Sequence, residues 1–283
     1  MRQIALLDRL AAARGLDTVA GAVRDAAQRV LRQGTVKDLL HGVWLGHPLH
    51  PVLVQVPVGT WLSASFLDAW PGNEEASRRL VLAGLAASVP AALAGAADWS
   101  EQHEQQMRVG VVHALANAAA ITLYAASVAV PARRAAGLRL AALAAAAAGG
   151  FLGGHIAYRQ SAGANQAEPV PHLVEPGWHD LMPLAELSEL AARKPVKRML
   201  GDVPVVVVRD RDGVHVLADR CSHLSGPLSD GDCRDGRLTC PWHGSTFRLA
   251  DGTVARGPAT APQPVFRTRV AAGILQACLP GSG

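Results

Sequence analysis

Two hydrophobic rhythms divide this chain. From about residue 52 to residue 158, apolar residues run in long blocks at 52–69, 80–97, 110–130 and 138–157. Each block is 18–21 residues long, enough as a helix to cross the ~30 Å hydrocarbon core of a bilayer. Short polar connections at 71–79 and 131–134 separate them. After residue 178 the rhythm shortens. A β-branched run at 203–208 leads into the turn Asp210-Arg211-Asp212-Gly213 and a return strand at 214–218. Further strands are expected at 237–239, 246–249, 265–270 and 274–279.

Ahead of the blocks, Leu16, Val19, Ala20, Val23, Ala27, Val30 and Leu31 follow helical spacing. Arg24, Asp25, Arg29 and Arg32 cover the other face, and Gly34 stops the helix. Residues 160–177, rich in Pro, Ala, Gly and Gln, carry no period and read as a linker. The pattern therefore predicts an α+β chain. A soluble helical segment (1–46) precedes a four-helix transmembrane bundle (47–159), the linker (160–177) and a small antiparallel β domain (178–280).

Aromatic placement fits a bilayer: Trp44, Trp99 and Tyr158 fall at one set of block ends and Trp70 at the other. Gly149-x-x-x-Gly153 and Gly150-x-x-x-Gly154 give the last block a small-residue face for close helix contact. The competing reading is a soluble Ala-rich bundle, since Ala is weakly hydrophobic and the first block carries Gln55, Pro57 and Asp68. Such a bundle needs charged faces, and the third block has no charge between Arg108 and Arg133.

Four antiparallel spans would bring His41, His47, His50, His103, His113 and His155 to one membrane face, the face from which the C-terminal domain leaves. Ionisable groups at membrane depth are costly and suggest function. His113 and His155, with His50, are candidates for a b-type haem, a second metal site or a quinone pocket. In the packing alternative His47 and His50 cap the first span, while His113 and Asn117 hydrogen-bond between helices.

Composition narrows the partners. The net charge of +4 comes from scattered arginines, and aromatic residues make up 4% of the chain, which argues against nucleic acid as a partner. The first forty residues hold no apolar run followed by a small-residue cleavage site. With four cysteines and no disulfide framework, this favours a reducing compartment, with the C-terminal domain on the cytoplasmic side of a cell membrane.

The chemistry concentrates in Cys221-Ser222-His223 and Cys240-Pro241-Trp242-His243, each on a loop between expected strands. Zinc sites pair Cys-x₂₋₄-Cys with His-x₃₋₅-His, an order these alternating donors do not follow. Cys233 and Cys278 lie outside the frame and read as buried thiols. The frame, with Leu224-Ser225-Gly226-Pro227-Leu228 after its first half and Gly244-Ser245-Thr246-Phe247 after its second, resembles the Rieske [2Fe–2S] family over about 178–280. The resemblance implies that Cys221 and Cys240 hold one iron and His223 and His243 the other. Arg256-Gly257-Pro258-Ala259 resembles that family's proline loop.

Branch features are mixed. The quinol-oxidising branch carries an extra cysteine in each loop, where this chain has Ser225 and Trp242, so the loops resemble the ferredoxin-like branch. Ser245 matches the serine that tunes the cluster in the high-potential branch, while Phe247 replaces its tyrosine partner. A cluster potential between the two branches is therefore expected. Residues 35–165, with Gly46-His47-Pro48-Leu49-His50-Pro51 and Gly153-Gly154-His155, resemble a bacterial family of four-span membrane domains of unassigned function.

The combined expectation is a membrane-anchored protein that passes single electrons between a membrane donor or acceptor, haem or quinone, and a soluble redox partner. The alternative is a tethered redox sensor, or a ferredoxin component of an oxygenase, with the bundle only an anchor. No catalytic residue of its own is expected. An oxygenase site would need two histidines and a carboxylate, and the forty residues after His243 contain no His and one acid, Asp251.

Overall fold

The computed structural model describes residues 2–280, which form two compact units. Among the described residues the helical unit comprises 2–40 and 48–162, and the β-rich unit comprises 41–47 and 163–280.

The helical unit contains α1 (Arg2–Ala11), α2 (Asp17–Val30), α3 (Thr35–His41, whose last residue falls in the other unit), α4 (His50–Leu53), α5 (Gln55–Leu67), α6 (Glu74–Trp99), α7 (Glu104–Val128) and α8 (Ala132–Gly154). A π-helical turn, His155–Arg159, extends α8. The expected first span is corrected here, because it is broken into α4 and α5. Pro57 has no N–H to give the carbonyl four residues back, and its ring crowds that carbonyl. The helix restarts at Gln55, with the Val58 N–H donating to Val54 O. At 13 residues, α5 is about 20 Å long and falls short of a bilayer core. Among the described residues three helices, not four, are long and apolar enough to cross a membrane: Glu74–Trp99, Glu104–Val128 and Ala132–Arg159.

These helices still pack as a ring, α5 against α6 and α8, and α7 against α6 and α8. Their residue sizes are inverted relative to a water-soluble bundle. α6 turns Ser77, Gly84, Ser88, Ala91, Ala94 and Ala97 inward and leaves Leu82, Val89 and Leu93 exposed. α8 buries Ala135, Ala142 and Gly149 and exposes Leu140 and Phe151. Small residues inside bring backbones close, and bulky apolar residues outside suit lipid. Where a large ring does enter, a glycine admits it: Trp61 stacks on Tyr124 at 4.4 Å and lies where a Cβ on Gly84 would be.

Two ion pairs fix the ends. Arg108 of α7 donates to both carboxylate oxygens of Asp17 at the start of α2, at 2.6 and 2.9 Å. α2 itself buries Ala20 against Met107 and Val111, whereas Val19, Val23 and Val30 of its apolar stripe stay exposed. Asp68, which weighs against a span in the sequence, is paired: Arg139 of α8 donates to it at 2.7 Å, with Arg139 buried and Asp68 part-buried.

The β-rich unit contains α9 (Val170–Leu173), β1 (His179–Pro183), α10 (Leu184–Glu189), β2 (Val196–Leu200), β3 (Val203–Asp210), β4 (Gly213–Ala218), β5 (Asp232–Arg234), β6 (Arg237–Thr239), β7 (Thr246–Arg248), β8 (Val254–Arg256), β9 (Val265–Ala271) and β10 (Ile274–Cys278). They form two antiparallel sheets, ordered β1-β10-β9-β4-β3-β2 and β5-β6-β7-β8. β3 explains its own composition. Val203, Val205 and Val207 enter one core and Val206 and Val208 the other, so both faces are buried and no polar alternation survives. The second core includes Cys221, Cys233 and Cys240. Within 160–177 the chain is docked, not extended. Val170 and Val174 belong to the first core, and the Gln166 N–H donates to Ser222 O at 2.9 Å.

Arg139→Ala leaves Asp68 buried without its cation and is expected to cost about 3–5 kcal/mol. Thermal unfolding in detergent would read this as a lowered midpoint, partly recovered by adding Asp68→Asn.

Candidate iron–sulfur centre

Two loops build the centre, one between β4 and β5 and one between β6 and β7. Each closes on its own cysteine. In the first, the Cys221 N–H donates to Gly226 O and the Ser225 N–H to Cys221 O, both at 2.9 Å, with Ser225 at φ 62°. In the second, the Cys240 N–H donates to Ser245 O at 2.8 Å and the Gly244 N–H to Cys240 O at 3.1 Å. Gly244, at φ 76°, supplies the left-handed conformation this turn needs.

The thiols meet inside. Cys221 and Cys240 are 1% and 3% exposed and hydrogen-bonded to one another. The Cys221 thiol donates, which, against the effect of burial and with help from the Trp242 and His243 N–H groups, draws Cys240 down to about 7. Cys221 keeps its proton, raised well above the usual thiol range by that bond and by burial, while the His223 N–H and the Ser245 hydroxyl pull the other way. Gly226 completes the cradle: a Cβ there would come within 2.8 Å of Cys240 Sγ and 3.1 Å of the Trp242 ring. Cys233, in β5, is raised to about 11 by burial and does not join them.

The imidazoles of His223 and His243 lie at the half-exposed rim, 5.1 Å between ring centroids and 87° between planes. Two imidazoles on one tetrahedral ion, with the metal about 2.1 Å from nitrogen and ~1.1 Å more to the ring centre, would have centroids about 5 Å apart. The donors thus sort into a buried sulfur pair and an outer nitrogen pair. Among the described residues no three His, Cys, Asp or Glu side chains converge on one point, as a single zinc ion would need.

Two supporting side chains carry no sequence signal. Gln263, 2% exposed, accepts from the Ser222 N–H at 3.1 Å and donates to Ala218 O and Arg220 O, clamping the first loop from the proline-rich stretch. Asp219 accepts from the N–H and hydroxyl of Ser229. Ser245 is fully buried. Its Oγ accepts from the Ala259 N–H at 3.0 Å, so its own proton faces the Cys221 sulfur.

A buried thiol pair behind a rim of two imidazoles, carried on two β-loops, is the donor set of a Rieske [2Fe–2S] centre. The chain belongs to the Rieske family: its "Rieske [2Fe-2S] domain" matches residues 180–267. The ferredoxin subunit of anthranilate 1,2-dioxygenase from Burkholderia cepacia is 32% identical over 99 residues, which cover 35% of this chain and 89% of that protein. Ferredoxin CarAc from Metapseudomonas resinovorans is 34% identical over 26% of this chain and 69% of its own length. Cytochrome b6-f complex iron-sulfur subunit 1 from Synechocystis is 32% identical over 29% of this chain and 49% of its own length. Residues 46–166 match the family described as "Predicted membrane protein (DUF2231)".

The histidines of the helical unit are regrouped by the structure. His113 meets His50, with ring centroids 6.3 Å apart. His155 lies on the π-helical turn and lines a separate cavity with His103.

Ser245→Ala removes the hydroxyl that faces the Cys221 sulfur and is expected to lower the reduction potential. Losing ~1.4 kcal/mol of preference for the reduced state shifts a one-electron couple by about 59 mV, so a fall of roughly that size is expected in an EPR-monitored titration. An unchanged potential would remove Ser245 from any tuning role.

Proposed function

We propose that this chain is a membrane-anchored one-electron carrier. Its [2Fe–2S] cluster, held by Cys221, Cys240, His223 and His243, exchanges electrons with a membrane donor or acceptor and with a soluble redox protein. The observation that carries the reading is the pairing, on one chain, of a rim-exposed imidazole pair with a helical unit whose bulky apolar residues face outward. When bound, the cluster supplies a single-electron couple. The protein buries the thiolates, fixes the loops and leaves the histidine edge open to a partner.

For the membrane-side reactant, the reading favours a quinone over haem. A cavity of about 620 Å³ in the helical unit is lined by His103, His155, Gln105, Gln106 and Arg159, donors suited to ring carbonyl oxygens. Adding a short-chain quinol to the detergent-purified chain should produce the EPR signal of the reduced cluster, and a pyridine haemochrome assay reports any haem. If quinol leaves the cluster oxidised and haem is absent, the bundle is only an anchor. The second reading then stands, a tethered ferredoxin or redox sensor, which the likeness to oxygenase ferredoxins supports.

We take the β-rich unit to face the cytoplasm, on its cysteines, none of which forms a disulfide among the described residues. With Ser161→Cys in intact cells, an impermeant thiol reagent should fail to label until the cells are opened. Labelling of intact cells would reverse the orientation.

A further inference from the structure

α2 is laid across the end of the bundle where α6 stops and α7 starts. Asp17 takes the two hydrogen bonds from Arg108, Ala20 is buried against Met107 and Val111, and the Gln28 side chain donates to Ser100 O just beyond α6. Both ends of the helix are thus held at the same level of the bundle. Its 14 residues, about 21 Å in length, run across the apolar helices and not along them.

At about 100° per residue, three faces separate on α2. Asp17, Ala20 and Gln28 meet the bundle. Thr18, Asp25 and Arg29, all exposed, form a polar face. Val19, Val23, Ala26 and Val30 fall within about 60° of one another and form the third. Such a stripe ordinarily enters a core, yet these valines are 51%, 50% and 80% exposed. Exposed apolar residues scattered singly are common, whereas a contiguous row of them marks an interaction surface.

The packing contacts give the stripe a direction. Ala20, which borders the stripe, reaches Val111, a turn deeper into α7 than Met107. Gln28, which borders the polar face, reaches Ser100, past the end of α6. The stripe therefore lies on the side of α2 toward the uncharged length of α7, where Leu115 is also turned outward. The polar face lies on the side toward water. A helix of this kind at the end of an apolar bundle is suited to the boundary between headgroups and acyl chains, and exposed Arg29 and Arg32 bring positive charge to the level of lipid phosphates.

We propose that α2 is an in-plane membrane helix, with Val19, Val23, Ala26 and Val30 sunk in the lipid surface around the bundle. The inference rests on the membrane-anchored reading. The test uses the full chain with its cluster, reconstituted in vesicles of phosphatidylcholine and phosphatidylglycerol. Nitroxide labels on Val19→Cys, Val23→Cys and Val30→Cys should collide more with oxygen, which concentrates in lipid, than with a water-soluble nickel chelate. Labels on Thr18→Cys and Arg29→Cys should show the reverse, and Leu115→Cys reports the spans themselves. Valine positions in water with Leu115 in lipid would overturn the inference and leave the anchor standing; Leu115 in water would remove both. Valine labels shielded from oxygen and nickel alike would mean that protein covers the stripe, a second copy included, and would also overturn it. Should the labelled variants fail to reconstitute, a phospholipid with a diazirine near its headgroup decides on the unaltered chain. Lipid adducts at Val19, Val23 or Val30 support the in-plane helix, and adducts confined to α6, α7 and α8 overturn it.

Discussion

Two thiols brought together out of water are the constraint on which the β-rich unit depends. Cys221 and Cys240 sit at 1% and 3% exposure, where negative charge is costly unless hydrogen-bond donors surround it. Each loop answers by turning backbone N–H groups toward its sulfur, and Ser245 adds a hydroxyl. The remaining architecture holds those donors still: β3 separates two cores, Gln263 clamps the first loop, and Gly226 leaves room for the sulfur of the second. The imidazoles of His223 and His243, which carry no charge in their neutral form, need no such shelter and form the rim.

The helical unit obeys the opposite solvent logic. Its helices α6 and α8 turn mainly Ala, Ser and Gly inward and leave Leu, Val and Phe at the periphery. Several of the polar and aromatic groups inside have a matched partner: Arg139 with Asp68, Trp61 with Tyr124, His50 and His113 with main-chain carbonyls. A buried group without such a partner would be costly in lipid as in a protein core.

Features encoded in short spacings were legible in the sequence. The Cys-x-His and Cys-x-x-His frames are local and each was visible by itself, while their pairing was implied by the family resemblance; the β3–β4 hairpin followed from its valine run and Asp-Gly turn. Block length misled at the first span, where Pro57 outweighs the apolar count because one missing N–H breaks the helix ladder. Which histidine meets His113 depends on helix packing: His155 was the expected partner, and the chain offers His50 instead. Gln263 was invisible because its role arises only when the proline-rich stretch folds back over the first loop. The short strands β1, β2, β5 and β8 lack strong alternation and take their form from neighbours.

All four sulfurs are buried: two at the cluster, Cys233 against the second core and Cys278 at the end of β10. A thiol held near 11, as Cys233 is, exposes about one thiolate in ten thousand at neutral pH, and only the thiolate reacts. Burial shields the other three sulfurs from a bulky alkylating reagent as well. A cysteine placed on the surface of the folded protein is therefore the first to be labelled, and the chain can be mapped one position at a time.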